Sequence, residues 1–209
     1  IDSIAPNISL QAITVALDSF GAASIIATDL DNGTWDSCGI ATTTIDIDTF
    51  NCGNVGPNTV WFFATDVNGN IDSAFTTVTI VDTIAPNVIV QNITVALDSF
   101  GTASITAADI NNGTWDSCGV ASITIDSSNF DCGNIGSNNV WFYATDVNGN
   151  IDSAIAVVTI TDTIAPTILT QNITIALDSF GDASITVFDV NNGTWDSCGV
   201  VSTALSLDT

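Results

Sequence analysis

The chain has 209 residues, and its 23 acidic residues are all Asp; Glu, Lys, Arg, His and Met are absent. A net charge of −23 repels nucleic acid and anionic membrane surfaces, so neither is expected as a partner. At 46% hydrophobic residues the chain is no disordered acidic tail, and without an apolar run long enough to cross a bilayer no membrane span is expected.

The elements come in repeats. Residues 1–80 laid over 81–160 match at 55 of 80 positions, and 81–129 over 161–209 match at 31 of 49. The expected domains are therefore 1–81, 82–161 and a truncated 162–209, the last completed by further residues or by a neighbouring subunit through strand exchange. Each copy opens on a lead-in segment, DSIAP (2–6) or DTIAP (82–86 and 162–166). QNITVALD (91–98) then alternates Ile93, Val95 and Leu97 against Thr94, Ala96 and Asp98, the period of a half-buried strand. ASITA (103–107) alternates likewise. NGTWDSCG follows, identical at 32–39, 112–119 and 192–199, and then a strand around ASITID (121–126). A Gly/Asn/Ser turn region through 131–139 leads to VWFYATD (140–146) and SAIAVVTIT (153–161), which flank an Asn-Gly hairpin turn. No helical period appears. Six or seven short strands in each full copy predict an all-β chain of tandem immunoglobulin-like β-sandwich domains.

Cys52 follows Cys38 at the same spacing as Cys132 follows Cys118, while Cys198 would meet its partner beyond residue 209. One pair per copy reads as an intradomain disulfide, in an oxidising extracellular setting, or as two reduced buried cysteines. Zinc fits less well, since two thiolates without His do not complete a structural site. Catalysis is not expected. Acid–base work could fall only to Asp, Tyr143 or cysteine, and tandem identical active sites are unusual.

Divalent metal is the better use of the carboxylates. Asp29, Asp31, Asp36, their copies Asp109, Asn111, Asp116 and Asp189, Asn191, Asp196, and the hairpin residues Asp66, Asn68, Asp146 and Asn148 offer the oxygens calcium takes around a Gly-permitted turn. The same residues are also ordinary turn formers. In a sandwich these loops lie where the chain enters, which places Asp82 and Asp162 beside them. Asp82 is expected near Asp109, Asp116 and Asp146, tying linker to domain. Trp35, Trp115 and Trp195 read as plugs over the disulfide or the joint, or else as a sugar-stacking platform. Asn7, Asn32, Asn92, Asn112, Asn172 and Asn192 head N-x-S/T sequons. Ser3, Ser73, Thr83, Ser153 and Thr163 lie in a short Asp-Ser/Thr-aliphatic pattern similar to an O-glycosylation signal.

The order DxIAP, ITVALDSFGxASIT, DxNNGTWDSCG, FxCxNxG and TDVNGNID closing on VTIxD resembles the hyalin-type (HYR-like) repeat across both full copies. The resemblance implies immunoglobulin-like extracellular modules in tandem, many of them bacterial, with Cys38–Cys52 and Cys118–Cys132 disulfides, an adhesive or structural role and no catalysis. The function expected is thus an extracellular or cell-surface fibre or stalk, stiffened by disulfides and junction calcium, whose partners are adjacent repeats or copies of itself. The competing expectation is a glycan-binding module of a secreted enzyme. Buried Trp would fit the first, exposed Trp the second.

Overall fold

The computed structural model describes residues 2–206. In the first repeat the strands are β1 (Ile13–Ala16), β2 (Ala22–Ser24), β3 (Ile40–Ile45), β4 (Thr49–Asn51), β5 (Gly56–Asp66) and β6 (Ile71–Val81). They form a four-stranded sheet in the order β1-β6-β5-β3 and a two-stranded sheet β2-β4. The hairpin β5–β6 is the backbone of the fold, antiparallel from Gly56↔Ile80 to Thr65↔Ile71. Along β5, Val60, Phe62 and Ala64 point inward and are fully buried, whereas Trp61 and Phe63 between them point out. That alternation is the period-2 pattern of a sheet solvated on one side. β1 lies parallel to β6, Ile13 opposite Val78 and Ala16 opposite Val81, so the first and last strands of the repeat sit side by side. Leu17, Ile25, Leu30, Phe50, Val78 and Ile80 complete the core with the β5 residues.

The second repeat follows the same plan: β7 (Ile93–Ala96), β8 (Thr102–Ser104), β9 (Val120–Ile125), β10 (Asn129–Asp131), β11 (Gly136–Asp146) and β12 (Ile151–Thr161), in sheets β7-β12-β11-β9 and β10-β8. The architecture is all-β with two similar sandwich-like halves, as the alternation predicts. β8 stops at Ser104, short of the expected 107. β10 opens the region read as turn, and β11 begins at Gly136 rather than 140. The chain also contains short helices that periodicity could not reveal: α1 (Ala27–Leu30), α2 (Ala107–Ile110) and α3 (Val187–Val190). Each is one turn long and starts where an Asp accepts from a backbone N–H three residues earlier. The donors are Ile26 to Asp29 Oδ2 at 2.7 Å, Thr106 to Asp109 Oδ2 at 2.7 Å and Thr186 to Asp189 Oδ2 at 2.7 Å. Leu30 and Ile110 are fully buried by these turns.

After Thr161 the described residues hold α3 and the backbone bridges Thr167↔Trp195 and Thr170↔Asn191, but no strand. Two compact units result. One comprises Ile1–Ile89, Gly113–Ile123 and Tyr143–Ser153; the other comprises Val90–Asn112, Thr124–Phe142 and Ala154–Thr209. The WDSCG loop of the second repeat thus clusters with the first repeat.

Candidate functional site: the disulfide and carboxylate loop

The chain's disulfides are Cys52–Cys118 and Cys132–Cys198, each spanning 66 residues with Cα atoms 5.2 Å apart. The expected Cys38–Cys52 and Cys118–Cys132 pairs do not form, and Cys198 is bonded. Strand geometry explains the correction. Cys38 precedes β3 and Cys52 follows β4. β3 carries the chain away over six residues, about 20 Å at 3.3 Å per residue. β4 is only three residues long and joins a different sheet, so it cannot bring Cys52 back within the roughly 7 Å that a disulfide needs. Cys52 instead starts a one-turn 3-10 helix, Cys52–Asn54, whose sulfur lies 3.5 Å from Ser117 O and 3.9 Å from Gly21 O. The bond therefore joins the Cys-Gly-Asn turn of one repeat to the WDSCG loop of the next.

The DSFG turn supports this bond, a role the sequence reading missed. A Cβ on Gly21 would stand 2.6 Å from Cys52 Sγ, and one on Gly101 2.7 Å from Cys132 Sγ. Both glycines also have positive φ, +73° and +74°. Asp98 fixes the turn by accepting from Phe100 N at 2.9 Å and Thr102 N at 3.0 Å. The signal was a glycine kept in all three copies of DSFG.

Beside each WDSCG cysteine two carboxylates converge: Asp2 and Asp36 at Cys38, Asp82 and Asp116 at Cys118, Asp162 and Asp196 at Cys198, with one atom from each residue within 4.8 Å of the others. Asp82 and Asp116 are thus adjacent, as expected. Asp82 Oδ2 and Asp2 Oδ2 are buried and have no hydrogen-bond partner. The other oxygen of Asp82 accepts from Ile84 N at 3.1 Å, and Asp116 Oδ1 accepts from Cys118 N at 2.7 Å and Gly119 N at 3.0 Å. A carboxylate pair of this kind, with no cation in the sequence to neutralise it, suits a hard divalent ion. The sulfurs of Cys118 and Cys198 are spent in disulfides and offer it no thiolate.

The remaining expected metal residues occupy turns. Asp146 is buried. Burial pushes its pKa up, but hydrogen bonds from the Asn150 side chain and from the backbone N–H of Asn150, Asn148 and Gly149 outweigh it and hold the carboxyl below its ordinary value. Asp66 is held low in the same way by Asn70, Asn68 and Gly69. Asn150 connects this turn to the linker: its amide donates to Asp146 Oδ2 at 2.8 Å, to Asp82 O at 3.2 Å and to Ile84 O at 3.4 Å. Asp146 therefore reaches Asp82 through Asn150. Asp109 instead caps α2, and the Thr106 backbone and hydroxyl hold it low. Asp31 Oδ1 and Asn191 Oδ1 accept from Thr34 N and Thr194 N at 2.8 and 2.9 Å. Asn111 ends α2, and Asn68 and Asn148 donate their backbone N–H to Asp66 and Asp146.

Trp35, Trp115 and Trp195 are 59%, 51% and 52% exposed, so the expected plugs are not formed and the rings have the exposure expected of the glycan-binding alternative. Their main chains do the tying. Trp35 pairs with Asn7 in both directions, and Trp115 and Trp195 do the same with Asn87 and Thr167. All six sequon asparagines are exposed, as are Ser3, Ser73, Thr83 and Thr163; Ser153 is half-buried.

No protein-family model matches the chain, and no curated protein is similar to it. The hyalin-type likeness accordingly stays a resemblance. Among solved structures the chain is similar to human protocadherin-24 extracellular domains 1–2, at 10% identity and TM-score 0.40, covering 77% of this chain and 100% of that one. Protocadherin gamma B2 extracellular domains 3–6 match at 16% and 0.39, covering 80% and 50%. An endo-fucoidan hydrolase of glycoside hydrolase family 107 matches at 15% and 0.30, covering 77% and 29%. The chain therefore spans under a third of that hydrolase. Likenesses this distant carry no functional argument, and the bacterial source expected from the resemblance finds no support in them. Among the described residues, no helix is long and apolar enough to cross a membrane. The disulfides agree with an oxidising, extracellular setting.

Proposed function

We propose that this chain is a non-catalytic, extracellular or cell-surface repeat protein. It acts as a stalk or filament with adhesive or structural duty, built of sandwich repeats at 1–81 and 82–161 and a truncated third repeat at 162–209. The observation that carries this reading is the covalent link from each repeat to the next, at the same 66-residue spacing both times. A bond so placed adds nothing to a lone repeat and serves an array. Its partners are then adjacent repeats and further copies of the same unit, and the exposed sequons are candidates for glycan attachment.

Calcium is the proposed cofactor of each joint, held by Asp82 with Asp116, Asp2 with Asp36, and Asp162 with Asp196. The buried, unpartnered Oδ2 atoms of Asp2 and Asp82 support this assignment. The cation would neutralise the paired charges, while Asn70 and Asn150 hold the lead-in backbone in place. The test is thermal unfolding of the oxidised chain in calcium and in excess chelator. At one hundred times its dissociation constant a ligand of the folded state adds about 2.7 kcal/mol. For a chain of this size that is a rise of roughly 5–10 °C, and Asp82→Asn with Asp116→Asn should abolish part of it. An unchanged midpoint would remove calcium from the proposal and leave the disulfide array standing.

A further inference from the structure

Cys38 is the one cysteine outside a disulfide among the described residues, and it is exposed. Its counterparts one and two repeats on, Cys118 and Cys198, are each bonded to the cysteine of a Cys-Gly-Asn turn 66 residues upstream. The three loops have the same eight-residue sequence. The same pair of carboxylates attends each sulfur, and the orphaned buried oxygen of Asp82 beside the bonded Cys118 recurs on Asp2 beside Cys38. The surroundings that hold a bonded sulfur at 118 are therefore already assembled at 38. Cys52 and Cys132 cannot be the partner, because both are taken.

We infer that Cys38 is the receiving half of a further inter-repeat disulfide. Its partner is the free cysteine of a Cys-Gly-Asn turn on another repeat of this same kind, seated on residues 35–39 as Cys52–Asn54 is seated on residues 115–119. The inference rests on the pairing pattern and is independent of calcium. The chemistry is thiol–disulfide exchange with a low-molecular-weight disulfide such as oxidised glutathione. The oxidant caps Cys38 and releases one thiol. The partner thiolate then attacks the Cys38 sulfur and expels a second thiol, so two protons and two electrons pass from the cysteine pair to the oxidant.

The test places a copy of residues 81–160 ahead of Ile1. The added Cys-Gly-Asn cysteine then lies upstream of Cys38 in the register of the two observed bonds, each of which spans 66 residues. The chain is refolded with oxidised glutathione, its free thiols are alkylated, and it is digested at Asp without reductant for mass spectrometry. The expected result is a disulfide-linked peptide joining the added turn to Cys38, with the alkylated thiol moved to the WDSCG cysteine of the added copy. Alkylated Cys38, with the two added cysteines bonded to each other or both free, would overturn the inference. Should the longer chain fail to fold, Cys52→Ser in the original chain frees Cys118 in its own loop. Capping of Cys38 and of the freed Cys118 by oxidised glutathione to the same extent is expected if the loops are one kind of site. A tenfold lower capping of Cys38 would sink the idea.

Discussion

Residues 93–96 and 173–176 read ITVA and ITIA, a difference of one CH2 group, yet only the first is a strand. β7 pairs in parallel with β12, Ile93 opposite Val158 and Ala96 opposite Thr161. The strand that would pair with 173–176 has no counterpart among the described residues. Ile175 is half exposed and Leu177 is 68% exposed, where Leu97 is buried. Strand formation here is thus decided by a ladder partner at the far end of the repeat, and the local pattern supplies only the readiness to pair. The DSFG turn teaches the same lesson at the level of one atom. Gly101 abuts a bonded sulfur, whereas a Cβ on Gly181 would meet nothing within 4 Å.

The largest expected effect comes from removing the long-range partner covalently. Cys52→Ser should lower the unfolding free energy by about 4 kcal/mol, the chain-entropy value for a loop of this length. Cys38→Ser should leave the stability of this chain unchanged. Equilibrium denaturation without reductant measures both, and equal losses would mean that the long-range bond does not stabilise the fold. Next in size is the glycine pair. Gly101→Ala forces a Cβ against Cys132 Sγ and should cost about 3 kcal/mol, with a rise in free thiol. Gly181→Ala meets only the left-handed φ penalty, about 1–2 kcal/mol. Similar costs at the two positions would erase the distinction drawn between them.

The smallest effect is that of acid. Asp66, Asp98, Asp109, Asp146, Asp178 and Asp189 all have folded pKa values below their ordinary one. Each therefore adds stability above the unfolded value near 3.9 and loses it as pH falls through the depressed folded value. Thermal midpoints should hold from neutrality to about pH 4 and decline below it. Asp146→Asn should flatten the decline; an unaltered acid limb in that variant would count against the hairpin carboxylate as its source.

The parts legible in sequence were those with a short period or a turn rule. Alternation located β7 and β8, and Asn-Gly marked the long hairpin of β11 and β12. α2 escaped because four residues contain no period, although Thr106 and Asp109 carry the spacing of a capping box. The cysteine pairing was not legible. A partner within the same copy and a partner in the next copy use the same two positions of the repeat, and either choice leaves one of five cysteines over. Only the direction in which β3 carries the chain separates them. Asp82 beside Asp116 was legible, because sandwich topology returns that loop to the place where the chain enters. The exposure of Trp35 was not, since the backbone pairing with Asn7 that ties this loop down leaves no mark in the sequence.

The spacing of the disulfides also sets how the molecule answers a pull on its two ends. Tension entering at residue 52 crosses to 118 through sulfur, and again from 132 to 198. Each bridge withholds 66 residues, about 220 Å of contour, from extension. While oxidised, the chain can pay out only the stretch before Cys52, the short run from 119 to 131 and whatever follows Cys198. The long hairpin Gly56–Val81 lies wholly inside the first shielded loop, so a pull reaches it only through β1 and β3, which pair with its two strands from the stretch before Cys52. Reductant would change it from a short tether into a long one.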